Sequence, residues 1–224
     1  NQAFTKITGY TTEEAIGQAS DMLRSNKHTE NSYTALVQQL FETGHWDGEI
    51  WNYHKDGSLF PVWASISVVH DEHGAIEKYI GIFTDITERK ATEDRIRHLA
   101  QYDFLTDLPN RALLFDRLTR EFFEARRYDK RFALLFIDLD KFKPVNDQYG
   151  HAAGDLLLCE VARRLADNVR DSDTVSRQGG DEFIILVPEL PESEQVVQLG
   201  MKVLRILGET YLIDGHELNI TPSI

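Results

Sequence analysis

A pair of glycines between two β-prone segments constrains the fold more than any other feature of this sequence. Gly179 and Gly180 separate a β-prone segment at 174–176 from an apolar run at 183–187. A tight turn between paired strands requires positive φ angles, which glycine adopts at little cost. The sequence therefore predicts a β-hairpin whose tip carries no side chains, so that a phosphate group can approach the backbone closely.

Two carboxylates follow this turn directly. Asp181 and Glu182 open the second predicted strand. Because successive residues of a strand point to opposite faces, we expect the two acids to diverge. A hairpin tip with an accessible backbone and an acid suits a metal-bound nucleotide.

A second acidic pair ends another apolar run. Residues 132–137 are continuously apolar, which predicts a strand buried on both faces. Asp138 and Asp140 follow and share one face of that strand, and Lys143 is placed to meet phosphate charge. Paired carboxylates and a lysine after a buried strand predict a binding or catalytic site at the end of that strand.

Together these segments resemble the GGDEF family of diguanylate cyclases, which condense two GTP molecules into cyclic di-GMP. The resemblance covers residues 103–224 and implies an α/β palm-like sheet covered by helices. Five spaced motifs carry it: Asp103–Arg111, Asp138–Lys143, Asn146-Asp147, Gly150-His151 with Gly154-Asp155, and Arg177–Phe183.

The resemblance implies a two-metal site. Asp138, Asp181 and the backbone carbonyl of Leu139 would hold Mg²⁺ or Mn²⁺ through oxygen ligands. The family also assigns removal of a proton from the attacking hydroxyl to the position of Asp181. A metal-bound water is the alternative, because an ion-bound aspartate is a weak base.

The resemblance also implies how GTP is bound. Asn146 and Asp155 would read the guanine edge, although Asp155 is equally placed to cap the following helix. The remaining implied contacts are Lys143 and the backbone at Phe142 for the phosphates, with Gly179, Gly180 and Glu182 at the hairpin.

Arg170 and Asp173 precede the glycine pair at the spacing of the family's inhibitory product-binding site. An arginine can grip a guanine edge or a phosphate with two parallel hydrogen bonds. The alternative is an ordinary Arg–Asp pair on the surface.

Residues 1–88 have a different pattern. Short helical segments precede three strand candidates near 46–53, 59–69 and 76–84, which predicts a small antiparallel sheet with helices on one face. This region resembles a PAS sensor domain whose first strand lies before Asn1. The resemblance rests on Thr8-Gly9-Tyr10, Gly44–Glu49, Lys55-Asp56-Gly57 and Asp85–Lys90.

Such domains hold FAD, haem or a small metabolite, or hold nothing. Trp46, Trp51 and Asn52 fit a flavin pocket, and the tryptophans fit an ordinary core equally well. The residues alone leave the ligand open.

Residues 89–102 form a predicted amphipathic helix between the two modules. Its narrow apolar stripe, which includes Ile96 and Leu99, fits either a rigid spacer or a dimeric signalling helix. We therefore divide the chain into a PAS domain at 1–88, a linker helix at 89–102 and a cyclase domain at 103–224.

Charge and composition exclude other classes. The net charge of −13 argues against a nucleic-acid interface, which needs clustered Lys and Arg. No apolar run approaches the length of a membrane span, and the single cysteine, Cys159, fits a reducing cytoplasm. We read the chain as a fragment of a longer cytoplasmic protein, which leaves room for a membrane anchor elsewhere.

The two resemblances together imply a sensor-regulated diguanylate cyclase that is inhibited by its product. Its partners would be GTP, cyclic di-GMP and a second copy, paired through the linker helix and the cyclase domain. The alternative is a catalytically weak module that binds GTP or cyclic di-GMP and controls a downstream phosphodiesterase domain.

Overall fold

A computed structural model describes residues 1–27, 30–189 and 193–224. The chain divides into two compact units, Asn1–Asp94 and Arg95–Ile224, and each has its own core. Among the helices of the described part of the chain, none has the length and apolar composition needed to cross a bilayer.

The first unit places short helices before a three-stranded antiparallel sheet in the order β1-β2-β3. Its elements are α1 (Gln2–Thr8), α2 (Thr12–Ala15), a 3₁₀ helix (Ser20–Leu23), α3 (Glu30–Thr43), β1 (His45–Tyr53), β2 (Leu59–His70) and β3 (Ile76–Asp85). The predicted antiparallel sheet with helices is confirmed.

Local sequence signals set the boundaries of this unit. Thr11 and Glu14 form a reciprocal capping box at the start of α2, and Gly9 ends α1 with a φ of 81°. On the inner face of the sheet, Phe60 and Val62 of the central strand are almost fully buried.

Helix α4 (Thr87–Gln101) crosses the boundary between the units. Its start is fixed by Asp85, whose carboxylate accepts hydrogen bonds from the Thr87 amide and hydroxyl at 2.8 and 2.6 Å. No residue of this helix is buried, and the side chains of Ile96 and Leu99 are 63% and 51% exposed. An apolar stripe therefore remains open on the linker helix.

The second unit is a four-stranded antiparallel sheet in the order β5-β6-β4-β9 with helices packed on it. Its elements are α5 (Arg111–Tyr128), β4 (Ala133–Asp140), α6 (Phe142–Tyr149), α7 (His151–Ala166), β5 (Thr174–Gly179), β6 (Glu182–Val187), α8 (Ser193–Leu207), β7 (Tyr211–Ile213), β8 (His216–Leu218) and β9 (Thr221–Ser223). β7 and β8 form a separate two-stranded ladder. The predicted mixed α/β fold is confirmed.

The main core lies between one face of this sheet and the helices α7 and α8. Ile137 and Leu139 of β4 point into it together with Phe183 and Ile185 of β6. The helices contribute Leu157, Val161, Leu165, Val203 and Leu207, all of which are fully buried.

The other face of the sheet is only partly covered. Leu114 of α5 packs on Ile184 and Leu186, but Phe136 of β4 is 63% exposed. The expectation of a β4 strand buried on both faces is therefore wrong for its C-terminal half. Since α5 covers only part of this face, the end of β4 that carries Asp138 stays accessible.

Candidate functional site

The glycine pair forms the predicted hairpin between β5 and β6. Gly179 and Gly180 have φ angles of 133° and 54°, and the ladder shifts register between Arg177 and Gly179. Apart from the adjacent residues of the turn, no heavy atom of the described part of the chain lies within 4 Å of the place where a Cβ would stand at either glycine. The backbone of the tip is therefore open to a ligand.

One nearly buried arginine fixes the shape of this tip. The Nε and Nη2 groups of Arg177 donate to the carbonyl oxygen of Gly180 at 3.1 and 2.8 Å. Its Nη1 donates to the Asp103 carboxylate at 2.8 Å, and only 8% of the residue is exposed. The guanidinium thus joins the hairpin to the segment that follows the linker helix.

Asp103 has several donors besides Arg177. Its Oδ1 also accepts from the Thr106 amide at 2.9 Å and the Thr106 hydroxyl at 2.6 Å. Burial alone would raise the pKa of this carboxyl, but the hydrogen bonds from Thr106 and Arg177 outweigh burial and hold the pKa below its usual value. Asp103 therefore stays ionised beside Arg177.

Sequence reasoning did not single out Asp103 or Arg177 as positioning residues. Each begins one of the segments that carry the family resemblance, at 103–111 and 177–183. Two signals in the sequence could have identified them: an arginine shortly before a Gly-Gly turn and an aspartate before a loop. Only the fold shows that they meet.

The strand register decides which carboxylates lie together. β4 pairs with β6 so that Asp138 is directly opposite Glu182. Such cross-strand partners share a face, with Cβ atoms roughly 4.5–5.5 Å apart. Asp181 lies in the turn, one residue before β6 begins. The expectation that Asp181 and Glu182 alternate along one strand is therefore wrong.

Asp138 and Glu182 line a depression of about 400 Å³ on the accessible part of the sheet. Both carboxylates are exposed, and Arg111, Phe136 and Gln178 line the same depression. The two carboxylates are thus grouped on the part of the sheet that α5 leaves uncovered.

Asp140 is engaged differently. Its two carboxylate oxygens accept hydrogen bonds from Ser223 and Thr221 of β9, both at 2.8 Å. These bonds hold the pKa of the Asp140 carboxyl below its usual value. The Asp140 side chain therefore links β9 to the end of β4.

The donor set suits a hard cation that keeps part of its water. Within the described ranges, no cluster of three or more His, Cys, Asp or Glu side chains is arranged for a metal. The side chain of Leu139 is 1% exposed and belongs to the core, so only its carbonyl oxygen is available as a ligand. Two carboxylates and a carbonyl match the oxygen ligands of Mg²⁺, which retains several waters.

A second group of predicted residues lies at the corner between α6 and α7. Lys143 and Asn146 are three residues apart on α6 and share a face of that helix. A Cβ at Gly154 of α7 would stand 1.9 Å from the Asn146 Oδ1 and 3.3 Å from the Phe142 ring. The missing side chain at position 154 is therefore what admits the amide of Asn146.

Asp155 follows Gly154 and is exposed on α7. This helix begins at His151, with Gly150 at its N-cap. The alternative that Asp155 caps the helix is therefore wrong. Its carboxylate is left available next to the position that Asn146 contacts.

Arg170 and Asp173 close the turn before β5. The Asp173 carboxylate accepts from the Arg170 amide at 2.9 Å, and the Asp173 amide donates to the Arg170 carbonyl at the same distance. The two side chains line a depression of about 430 Å³ with Asn168 and Lys202. No ion pair joins the side chains of Arg170 and Asp173, so the guanidinium of Arg170 is not tied to Asp173.

In the first unit, Trp46, Trp51 and Asn52 line a cavity of about 510 Å³ beside α3. Most of its other lining residues are apolar or aromatic, and the Lys27 ammonium lies 3.2 Å from the centre of the Trp51 ring. Among the described residues that line this cavity, none is His or Cys. Its wall therefore offers no imidazole or thiolate to a haem iron.

We predict that Asp103→Asn lowers the free energy of unfolding at pH 7 by about 3 kcal/mol, because it leaves the nearly buried Arg177 without its counterion. Since the Asp103 pKa is depressed in the folded state, its stabilisation is present at neutral pH. It is lost as pH falls below about 4. Urea unfolding at pH 7 and pH 3.5 should show the difference from wild type shrinking in acid.

Asp107→Asn is the matched control for this prediction. Asp107 lies in the same loop, but its side chain is 78% exposed and contacts only His98 among the described residues. We expect a change below about 0.5 kcal/mol. Equal effects of the two substitutions would contradict the proposed role of Asp103.

Comparisons with known proteins agree with this geometry. The family model of the diguanylate cyclase GGDEF domain matches residues 100–224, and a PAS domain model matches residues 1–88. The bifunctional diguanylate cyclase/cyclic di-GMP phosphodiesterase MucR of Pseudomonas aeruginosa is 52% identical over 126 residues. These are 56% of this chain and 18% of MucR.

Two solved structures are similar to the second unit. The GGDEF domain of TpbB from Pseudomonas aeruginosa matches with a TM-score of 0.53 and 37% identity, over 54% of this chain and 71% of that one. The coiled coil and GGDEF domain of DgcB from Caulobacter crescentus, solved with cyclic di-GMP, matches with a TM-score of 0.56 and 25% identity, over 62% and 74%. The chain therefore belongs to the GGDEF family and carries a PAS domain ahead of its GGDEF domain.

Proposed function

We propose that this chain is the sensor and catalytic part of a diguanylate cyclase, which joins two GTP molecules into cyclic di-GMP and releases two pyrophosphates. The observation that carries the proposal is the pairing of Asp138 with Glu182 on the uncovered part of the sheet, close in the chain to a hairpin tip with an open backbone. Its relatives in the family support this activity.

The reaction requires the ribose 3′-oxygen of one GTP to attack the α-phosphorus of the other. The new O–P bond forms as the bond to the β-phosphate breaks, and pyrophosphate leaves. Bound Mg²⁺ or Mn²⁺ supplies positive charge for the phosphates and acidifies the attacking hydroxyl. Asp138, Asp181 and the Leu139 carbonyl would hold the ion, and Glu182, which lies opposite Asp138, would add a further carboxylate beside it. Asp181 or a water on the ion would accept the proton of the hydroxyl.

The α6–α7 corner would bind the rest of GTP. Asn146 offers a donor and an acceptor to the guanine edge, and Asp155 accepts from the guanine N–H groups. Lys143 and the backbone at Phe142 contact the phosphates. α6 begins two residues after β4 ends, which supports placing these contacts near the end of the strand that carries Asp138.

Each subunit would hold one GTP, so that the reaction needs two copies facing each other. The exposed Ile96 and Leu99 of α4 support pairing through the linker helix. In this arrangement the PAS domain controls how the two half-sites meet.

The sensor ligand is proposed from the cavity beside α3. Its aromatic lining suits a flavin or another flat apolar ligand, and the absence of His and Cys from its described wall disfavours haem. The absorption spectrum of the purified protein, before and after incubation with FAD, tests the flavin. No flavin bands under either condition would leave a colourless metabolite or an empty cavity.

The second candidate is a catalytically weak GTP- or cyclic-di-GMP-binding module that controls a phosphodiesterase. MucR is named as both a diguanylate cyclase and a cyclic di-GMP phosphodiesterase, and this relative supports the second candidate. This chain covers 18% of MucR and 30% of the diguanylate cyclase TpbB of Pseudomonas aeruginosa PAO1, so the activity of the whole protein rests on this proposal.

The carboxylate pair provides the first test. We expect Asp138→Asn and Glu182→Gln each to lower cyclic di-GMP formation by at least about 100-fold in the intact protein. The melting temperature of each variant should equal that of the wild type, because both side chains are exposed. The measurement is product formation from GTP with Mg²⁺, followed by chromatography.

Glu217→Gln is the control, since Glu217 is exposed on β8, away from the main sheet. Wild-type protein that binds GTP but forms no cyclic di-GMP would favour the weak binding module. Unchanged turnover in both site variants would overturn the assigned carboxylates.

The packing of Asn146 gives a second prediction. Gly154→Ala should weaken GTP binding by about tenfold, because the added methyl group displaces the Asn146 amide. The helix propensity of alanine, about 1 kcal/mol better than glycine, offsets part of the crowding at Asn146, so any loss of stability should stay below about 2 kcal/mol. Binding is measured by titration calorimetry and stability by urea unfolding.

Gly200→Ala in α8 serves as the matched helical control. A Cβ there meets only the Leu135 side chain, at an ordinary 3.9 Å. We expect it to leave GTP binding unchanged. Full GTP affinity in Gly154→Ala would remove Asn146 from the base-binding site.

Product inhibition gives a third prediction. If the depression at Arg170 and Asp173 binds cyclic di-GMP, Arg170→Ala should raise the inhibition constant by about tenfold without abolishing turnover. Arg205→Ala, an exposed position of α8 outside this depression, is the control. An unchanged inhibition curve for Arg170→Ala would contradict the assignment.

A further inference from the structure

The cleft that carries Asp138 and Glu182 contains one cation that the proposed mechanism does not use. Arg111 lines the same depression as the two carboxylates. No hydrogen bond or ion pair joins its guanidinium to any described residue, and the side chain is exposed. The inference below rests on the proposed function, because it concerns the same site.

The backbone at Arg111 is held firmly. Arg111 is the first residue of α5, directly after the N-cap residue Asn110. The Asn110 side chain accepts from the amides of Ala112 and Leu113 at 2.9 and 3.1 Å, and donates to the Ala100 carbonyl at 3.0 Å. The start of the helix is therefore fixed beside the cleft.

The position is unfavourable for a cation on local grounds. The N-terminus of a helix carries partial positive charge, and acidic residues are preferred there. The first turn of α5 has no acidic residue that would offset Arg111. Within its own helix Arg111 is therefore uncompensated, and the acids of the cleft are the carboxylates of the proposed site.

We propose that Arg111 binds the phosphate chain of GTP and stabilises the charge that develops as the α-phosphate is attacked. A guanidinium grips phosphate oxygens with two parallel N–H donors, and it is always protonated. Asn146 and Asp155, which are assigned to guanine, lie on α6 and α7, whereas Arg111 lines the depression of Asp138 and Glu182, where the metal-bound phosphates are proposed to lie. Arg111 thus supplies positive charge directly from the chain.

The test compares Arg111→Gln and Arg111→Lys with wild type in the intact protein. We expect kcat to fall about 100-fold in Arg111→Gln, with partial recovery in Arg111→Lys. The melting temperature of Arg111→Gln should stay equal or rise, because a cation is removed from a helix N-terminus. A residue with only a structural role would not lower turnover while preserving stability.

Arg120→Gln is the matched control, since Arg120 is an exposed arginine of the same helix that pairs with Asp116. A second measurement uses Arg111→Ala with millimolar guanidinium ion. Recovery of turnover there, and its absence in Asp138→Asn, supports a direct contact with phosphate. Equal turnover of Arg111→Gln and wild type overturns the proposal.

Binding keeps the proposal falsifiable if the wild type proves inactive. Wild-type protein that binds GTP with Ca²⁺ but forms no cyclic di-GMP with Mg²⁺ would overturn the proposed activity alone. Weaker GTP binding by Arg111→Gln, of about tenfold, would then still support the phosphate contact. If Arg111→Gln then binds GTP as tightly as the wild type does, the proposed phosphate contact is wrong.

Discussion

The second unit depends on one nearly buried guanidinium. Arg177 places two N–H groups on the Gly180 carbonyl and a third on the Asp103 carboxylate. A glycine-rich tip has little conformational preference of its own, so it needs a fixed partner to keep one shape. Here that partner is the Arg177 guanidinium, which is held by Asp103 in the segment that follows the linker helix. The shape of the tip and the end of α4 are therefore linked by a short chain of hydrogen bonds within one unit.

The remaining geometry follows from an unequal covering of the sheet. α7 and α8 bury most of one face, whereas α5 covers only part of the other with Leu114 and its neighbours. The uncovered part contains Phe136, Asp138 and Glu182. The same strand thus supplies core residues on one side and accessible carboxylates on the other. A substrate can reach these carboxylates without any opening of the core.

Much of this could be predicted from the sequence, because the relevant signals are local. The Gly179-Gly180 turn, the apolar run before Asp138 and the capping residues of the first unit each determine their own structure. The partner of Asp138 could not be predicted in this way. It depends on the register between β4 and β6, which puts Glu182, rather than Asp181, opposite Asp138. The contact of Gly154 with Asn146 and the cleft position of Arg111 likewise arise from packing between separate helices and strands.

The register of β4 against β6 also has a consequence for the fidelity of folding. Side chains alternate along a strand, so a slip by one residue would turn Ile137 and Leu139 out of the core and bury Asp138 in their place. Burying an unpaired carboxylate while exposing two large apolar side chains is unfavourable on both counts. A sheet slipped by one residue is therefore too unstable to accumulate. The alternation of apolar and acidic residues at the end of β4 thus favours the register that aligns Asp138 with Glu182.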